Sequence, residues 1–301
     1  KESVEKAVRR LAQERIERAL ANLHSKEKLE GIHRVRMEIK KLRSLLRLVR
    51  KHISRDAYDQ GTSSLRKAAR HLAATRDAHV TLKALNELLA HFKGQLSAHA
   101  IENVKRALQQ RCRKELACYD QQSSPTAVAR ILRETCAFFK ELRIRAHGWQ
   151  ALSPGVNWSY SRGRCCCATV LEKPTAENFH EWRKRVKDLW YQVRLLRPIW
   201  REQMCAMARE LKTLSELIGD DHDLVLLRQA VAGNYRYEKD LKALGKFISA
   251  RQQELRFAAL ALGTRFYVDK PRVFRERLGR YWKLWCSEKT EFEAVVRHSP
   301  R

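Results

Sequence analysis

Residues 33–50 read H-R-V-R-M-E-I-K-K-L-R-S-L-L-R-L-V-R, and residues 180–197 read H-E-W-R-K-R-V-K-D-L-W-Y-Q-V-R-L-L-R. Superimposed without a gap, they share His, Arg, Lys, Leu, Arg and Arg at offsets 0, 3, 7, 9, 14 and 17. Successive helical residues turn by about 100°, so Arg36, Lys40, Arg43, Arg47 and Arg50 gather at roughly 260–340° from His33. Val35, Ile39, Leu42, Leu46 and Val49 fall at about 160–240°, which sets an apolar face beside the basic edge. The second stretch repeats the pattern, with His180, Arg183, Lys187, Arg194 and Arg197 on one edge and Trp182, Val186, Leu189, Val193 and Leu196 on the other. A helix-period pattern used twice predicts an all-α chain built by internal duplication.

Like charges at i, i+3 and i+4 repel by a few tenths of a kcal/mol per pair. A surface helix that only needed solubility would interleave acids along such an edge, and neither edge contains one. The rest of the composition agrees. Sixty-two Lys plus Arg against 34 Asp plus Glu give a net charge of +28. Folding does not require that excess, because it raises self-repulsion. A polyanionic partner is the economical explanation.

At 301 residues the chain can hold two packed units, and 44% hydrophobic content excludes general disorder. Only 11 Gly and 6 Pro punctuate it, which favours long helices. These are expected over about 1–23, 33–52, 61–73, 77–92, 96–119, 125–145, a short one after 162, then 180–197, 201–218, 221–231, 235–261 and 271–285. Residues 151–164, A-L-S-P-G-V-N-W-S-Y-S-R-G-R, read as the connector between halves, because Pro154, Gly155 and Asn157 are turn formers. The expected division is therefore a first half over 1–148, a linker and start of the second half over 149–174, and a second half over 175–301. Residues 65–77 align with residues 211–223, so the duplication extends past the basic helices. Asp77 and Asp223 are read as N-caps of the helices that follow.

The longest purely apolar run, 257–262, is too short to cross a bilayer, and no membrane role is expected. The eight cysteines show no C-x-x-C pairing and suit reduced thiols in a cytoplasm, with the adjacent Cys165, Cys166 and Cys167 left without a role. A chain that begins at Lys1 is expected to have lost upstream sequence, so a fused domain could precede it. No glycine loop for nucleotides and no G-x-S-x-G elbow occurs. His180-Glu181 begins like a zinc-protease helix, but Lys184 stands where the second histidine belongs. Asp220, Asp221, His222 and Asp223 form the one cluster that looks catalytic, and a metal-dependent phosphohydrolase is the minor alternative. Nucleic acid is the alternative polyanion, with Trp149, Trp158, Tyr160, Trp182, Trp190 and Tyr191 as conceivable stacking platforms. No helix-turn-helix, zinc-finger or RNA-recognition signature accompanies them.

The H-x-x-R-x-x-x-K motif in both halves, the L-A-A-T-R-D and I-G-D-D-H-D segments, and Y-S-R-G-R at residues 160–164 together resemble the CHAD domain, the conserved histidine α-helical domain. The resemblance implies two four-helix bundles related by pseudo-twofold symmetry around a basic channel or groove that binds inorganic polyphosphate. It also implies association with polyphosphate granules in bacterial cells, and with no catalytic motif found the expectation is a binding module without catalysis or cofactor. The positions it carries over are His33, Arg36, Lys40 and Arg47, then His180, Arg183, Lys187 and Arg194. Arg76, Arg162 and Arg164 match further family cations. Arg43, Arg50, Lys184 and Arg197 complete the expected binding set. His222 stands where the family pattern has arginine, as at Arg76. A polyphosphate offers only repeating anionic oxygens, so its receptor needs closely spaced cations on rigid elements, with arginine adding bidentate geometry.

Overall fold

The structure, a computed structural model, describes residues 2–93, 95, 98–121, 124–232 and 238–298. Among these residues the chain forms eleven α-helices and no strand. They are α1 (Val4–Leu23), α2 (Lys28–Val49), α3 (Arg55–Arg70), α4 (Ala73–His91), α5 (Ala98–Gln121) and α6 (Ser124–Glu141), then α7 (Gly148–Glu172), α8 (Ala176–Leu195), α9 (Arg201–Ala232), α10 (Glu238–Phe266) and α11 (Pro271–His298). The starts expected at Lys1, Leu96 and Tyr235 lie outside the described residues. Hydroxyl caps begin three of the helices: Ser3, Ser54 and Thr175 accept hydrogen bonds from the backbone of Lys6, Ala57 and Asn178.

In the first half, α2 packs against α1 and α3, and α6 closes the group by packing on α1 and α3. In the second, α7 packs against α8 and α11, α8 packs against α9, and a 3-10 turn at Arg197–Ile199 bridges α9 and α11. The apolar faces read from the sequence are the core. Ile39, Leu42 and Leu46 of α2 share one cluster with Trp182, Val186 and Leu189 of α8. That core runs across the expected half boundaries, because α2 packs directly on α8. A smaller core, which the sequence reading did not anticipate, joins Leu85 and Leu88 of α4 and Leu108 of α5 to Leu227 of α9 and Ile248 of α10.

The expected connector at residues 151–164 is instead the interior of α7, with Pro154 inside it. Tertiary packing overrides the turn propensities. Leu152, Val156, Tyr160, Gly163, Cys167 and Val170 recur at helical spacing on its buried face. Gly155 belongs to the same face because no side chain fits there: a Cβ would lie 2.0 Å from the carbonyl oxygen of Leu48. Gly163 is pressed equally against Tyr267. The glycines thus serve close helix packing rather than a turn. Cys166 and Cys167 pack in the core and Cys165 is exposed.

The expected break near residue 219 is also missing, since α9 runs unbroken from Arg201 to Ala232. Asp223 is consequently mid-helix, and Asp77 sits inside the first turns of α4 after Ala73. Neither is an N-cap. Gly219 is used for proximity, because a Cβ there would stand 3.0 Å from the guanidinium of Arg183.

Candidate anion-binding site

The contact between α2 and α8 is fixed by polar as well as apolar groups. Ser44 donates its hydroxyl hydrogen to the buried carbonyl of Asp188 at 2.9 Å. This crossing turns the two basic edges toward each other over a cavity of about 540 Å3. Arg36, Lys40, Arg43 and Arg47 line it from α2, and His180, Arg183, Lys184, Arg185 and Lys187 from α8. Glu181 and Asp188 of α8, Arg66 of α3, Arg76 and Asp77 of α4, and His222 and Asp223 of α9 also line it. A second cavity of about 280 Å3 is lined by His33, Met37, Lys83, Trp190, Lys212, Glu216 and Asp220. Both cavities share Arg36, Lys40, Arg76, Arg183, Lys187, Tyr191 and Asp223. The shared residues form a neck of five cations around one carboxylate.

The neck is electrostatically uncomfortable by itself. Burial, reinforced by Lys187, Arg183, Arg36 and Arg76, holds the Lys40 ammonium well below its ordinary pKa. Burial and Arg183 lower Lys187 to about 7. Burial and the nearby cations bring His33 down to about 4 and His222 to about 3, and lower His180 as well. In the unliganded protein the imidazoles are therefore neutral near pH 7. Hydrogen bonding is equally incomplete. The buried Nε atoms of Arg36, Arg43 and Arg183 and Nδ1 of His180 have no hydrogen-bond partner in the protein. Asp223 offers Arg183 an ion pair at 3.8 Å, which is too long to satisfy it. Such groups are costly unless an acceptor completes them.

Arg47 lines the larger cavity, but its charge is already matched. Its guanidinium donates to the buried Asp188 carboxylate at 2.6 Å, and Arg185 reaches the other oxygen at 3.3 Å. The corresponding positions on α2 are Lys41 and Glu38, which form the same i, i+3 pair with the signs exchanged. Removing one partner of a buried ion pair strands the other. Arg47→Ala is expected to cost about 2–3 kcal/mol of stability in denaturant unfolding, since Arg185 still compensates in part. A loss below about 0.5 kcal/mol would show that Arg47 is held for the cavity and not for Asp188.

The structure brings together most of the cations expected from sequence, but not all. Arg194 and Arg197 line a separate cavity of about 140 Å3 with Arg15 and Lys41, on the far side of Tyr191. The Arg194 guanidinium stacks over Trp190, 5.3 Å from its ring centroid. Arg50 is exposed and lies over the rings of Tyr58 and Trp158. Arg162 is exposed on α7, and Arg164 donates to the carbonyl of Tyr267. None of Arg50, Arg162 and Arg164 lines either of the two cavities that meet at the neck, and Arg164 lines a separate cavity of about 430 Å3 between α7 and Tyr267. Conversely, Arg66 and Arg185 were not singled out from sequence. Arg66 had a legible signal: Lys212 occupies its matched position in the second half. Arg185 had none, because its counterpart is Glu38.

The Asp220 to Asp223 cluster is splayed by its helix. Asp221 is buried against Arg256 at 2.7 Å and Gln252 at 3.1 Å, Asp220 lines only the smaller of the two cavities that meet at the neck, and His222 lines only the larger. His222 stacks on His180 with ring centroids 4.3 Å apart. Among the described residues no three His, Cys, Asp or Glu side chains converge as metal ligands, and no helix is long and apolar enough to cross a membrane.

The profile of the CHAD domain family matches residues 4–232. Two solved structures share the fold. PptA from Streptomyces chartreusis aligns with a TM-score of 0.65 and 14% identity, covering 89% of this chain and all of that one. The CHAD domain from the plant Ricinus communis aligns with a TM-score of 0.62 and 17% identity, covering 88% of this chain and 91% of that one. Comparison with curated proteins finds no match.

Proposed function

The chain belongs to the CHAD domain family, and from that premise we propose that it binds inorganic polyphosphate, without turning it over, in the cavity between α2 and α8. The observation that carries this reading is the neck, where Arg36, Lys40, Arg76, Arg183 and Lys187 converge on one carboxylate and buried guanidinium donors lack acceptors. A chain of phosphate oxygens supplies both the missing charge and the missing acceptors. It does so at several adjacent points, as cations spaced along two facing helices require. Binding of this kind recruits the protein, or a partner fused to it, to polyphosphate granules.

The aromatic residues favour a ligand without bases. Trp182 and Tyr160 are fully buried and Tyr191 nearly so, while Trp149 packs against Trp282. Trp158 is covered by the guanidinium groups of Arg50 and Arg185, and Trp190, which lines the smaller cavity, by the guanidinium of Arg194 and the ring of Tyr191. Stacking platforms for nucleotides need open ring faces.

Competition separates the two polyanions. Labelled long-chain polyphosphate should stay bound when single- or double-stranded DNA is added at equal phosphate concentration. Displacement by DNA would assign the site to nucleic acid. Affinity should fall steeply with salt, with a log–log slope of about −3 or steeper, because several counterions leave the polymer. Release of inorganic phosphate on adding divalent metal would overturn the non-catalytic part.

A further inference from the structure

The internal duplication matches the two cavities that meet at the neck to each other. His180 of the larger corresponds to His33 of the smaller, and Arg66 to Lys212. Chemistry has diverged at several other matched positions, while Arg36 and Arg183, Lys40 and Lys187, and Asp77 and Asp223 are kept. Arg43 beside the larger cavity corresponds to Trp190 beside the smaller, and Lys184 corresponds to Met37. Asp220, which lines the smaller cavity, corresponds to Ala74, which lines neither.

Pairing sharpens the difference. Lys212 and Lys83, the cations that only the smaller cavity has, are each matched by an acid: Glu216 at 3.4 Å and Glu87 at 3.3 Å. Among the described residues no carboxylate lies within ion-pairing distance of Arg43 or Arg66 in the larger cavity, and Nε of Arg43 is buried without a partner. The larger cavity also holds matched cations, since Glu181 pairs Lys184 and Arg185 and Asp188 pairs Arg47 and Arg185. A phosphate chain leaving the neck on that side still meets the unmatched guanidinium groups of Arg43 and Arg66. One leaving on the smaller side meets Asp220, matched lysines, Met37 and Trp190. Burial, Glu87 and Asp223 raise the Asp220 carboxyl to about 6, so near pH 7 it is mostly ionised and repels phosphate.

We infer that the site is one-sided: it holds the end of a polyphosphate chain, with the terminal phosphate in the neck and the body of the polymer leaving past Arg43 and Arg66. This rests on the polyphosphate reading and adds a chain-end specificity to it. The terminal phosphate is the unit best suited to the neck. Its second ionisation lies near pH 6, so it carries about two charges where an internal phosphate carries one.

Stoichiometry tests the inference on the unmodified protein. Linear polyphosphates of two lengths differing severalfold are titrated by calorimetry, with protein in excess. End binding gives two proteins per chain at either length, and cyclic metaphosphate, which has no ends, fails to compete. Equal-charge variants give an independent reading. Arg43→Ala with Arg66→Ala should weaken binding about tenfold or more at low salt, and Lys83→Ala with Lys212→Ala about threefold or less. Helical circular dichroism confirms that each variant is folded. Stoichiometry that grows with chain length, competition by the cyclic form, or equal losses in folded variants would overturn one-sidedness and leave polyphosphate binding standing. Failure of the unmodified protein to bind any linear chain would instead overturn the function itself.

Discussion

Replacing Arg36 and Arg183 together by alanine is expected to lower affinity for long-chain polyphosphate by at least about a hundredfold at low salt. Both guanidinium groups stand in the neck, each has a buried Nε without an acceptor, and each belongs to the H-x-x-R motif of its own half. Lys6→Ala with Arg113→Ala removes the same net charge from exposed positions and should cost less than about threefold. The contrast isolates placement from charge number. Stability should move little. Arg36 loses one hydrogen bond to the carbonyl of Ala69. Relief of repulsion against Lys40, Arg76 and Lys187 offsets that loss, so the unliganded variant should stay within about 1 kcal/mol of the parent. Equal losses from the two double variants would mean that diffuse charge, not the neck, does the binding.

The second large effect is a dependence on pH whose sign differs between binding and stability. Lys187 has a pKa of about 7 in the free protein, against an ordinary value of 10.5. A bound phosphate raises it again, so between pH 7 and 10 the complex holds more protons than the free protein. Affinity should then fall as pH rises through that window, by up to about tenfold per pH unit for each proton taken up. Lys40, lowered for the same reasons, adds to the slope. Between about pH 4 and 7, His33 and His222 act in the same sense, because phosphate favours imidazolium forms that the free site suppresses, while the second ionisation of the terminal phosphate near pH 6 acts in the opposite sense.

Folding responds in the opposite direction. The unfolded chain binds a proton at Lys187 that the folded one has released between pH 7 and 10.5, so the unliganded protein gains stability as pH rises from 7 to 9. A thermal midpoint about 3 °C or more higher at pH 9, with weaker polyphosphate binding at the same pH, is the joint expectation. Lys187→Met should flatten both responses. Affinity that does not change between pH 7 and 9 would show that Lys187 is not in the anion's field.

Much of this site was legible in the chain itself. The edges from His33 to Arg50 and from His180 to Arg197 were placed by a helical period that depends only on local backbone geometry. Both histidines face the cavities as that period requires, and the apolar residues beside them form the core. The readings that failed concern α7 and α9. Pro154, Gly155 and Gly219 carry a strong local meaning as breakers, yet the helices continue through them: Gly155 is there because the Leu48 backbone leaves no room for a side chain, and Gly219 lets the Arg183 guanidinium lie close. A breaker and a close-packing glycine look alike until the neighbouring helix is known.

The sequence by itself determined an all-helical chain, its two amphipathic basic helices and the presence of cations without acids along their edges, because each is a property of residues within one helix. Only the tertiary structure decided which of those cations remain unmatched. Asp188 takes Arg47 through a contact between helices, Tyr191 separates Arg194 and Arg197 from the neck, and Arg76 and Asp223 enter it from α4 and α9. The physical reason is that free charge is set by what lies within a few ångströms in space, and burial between distant helices fixes those neighbours where spacing along the chain cannot.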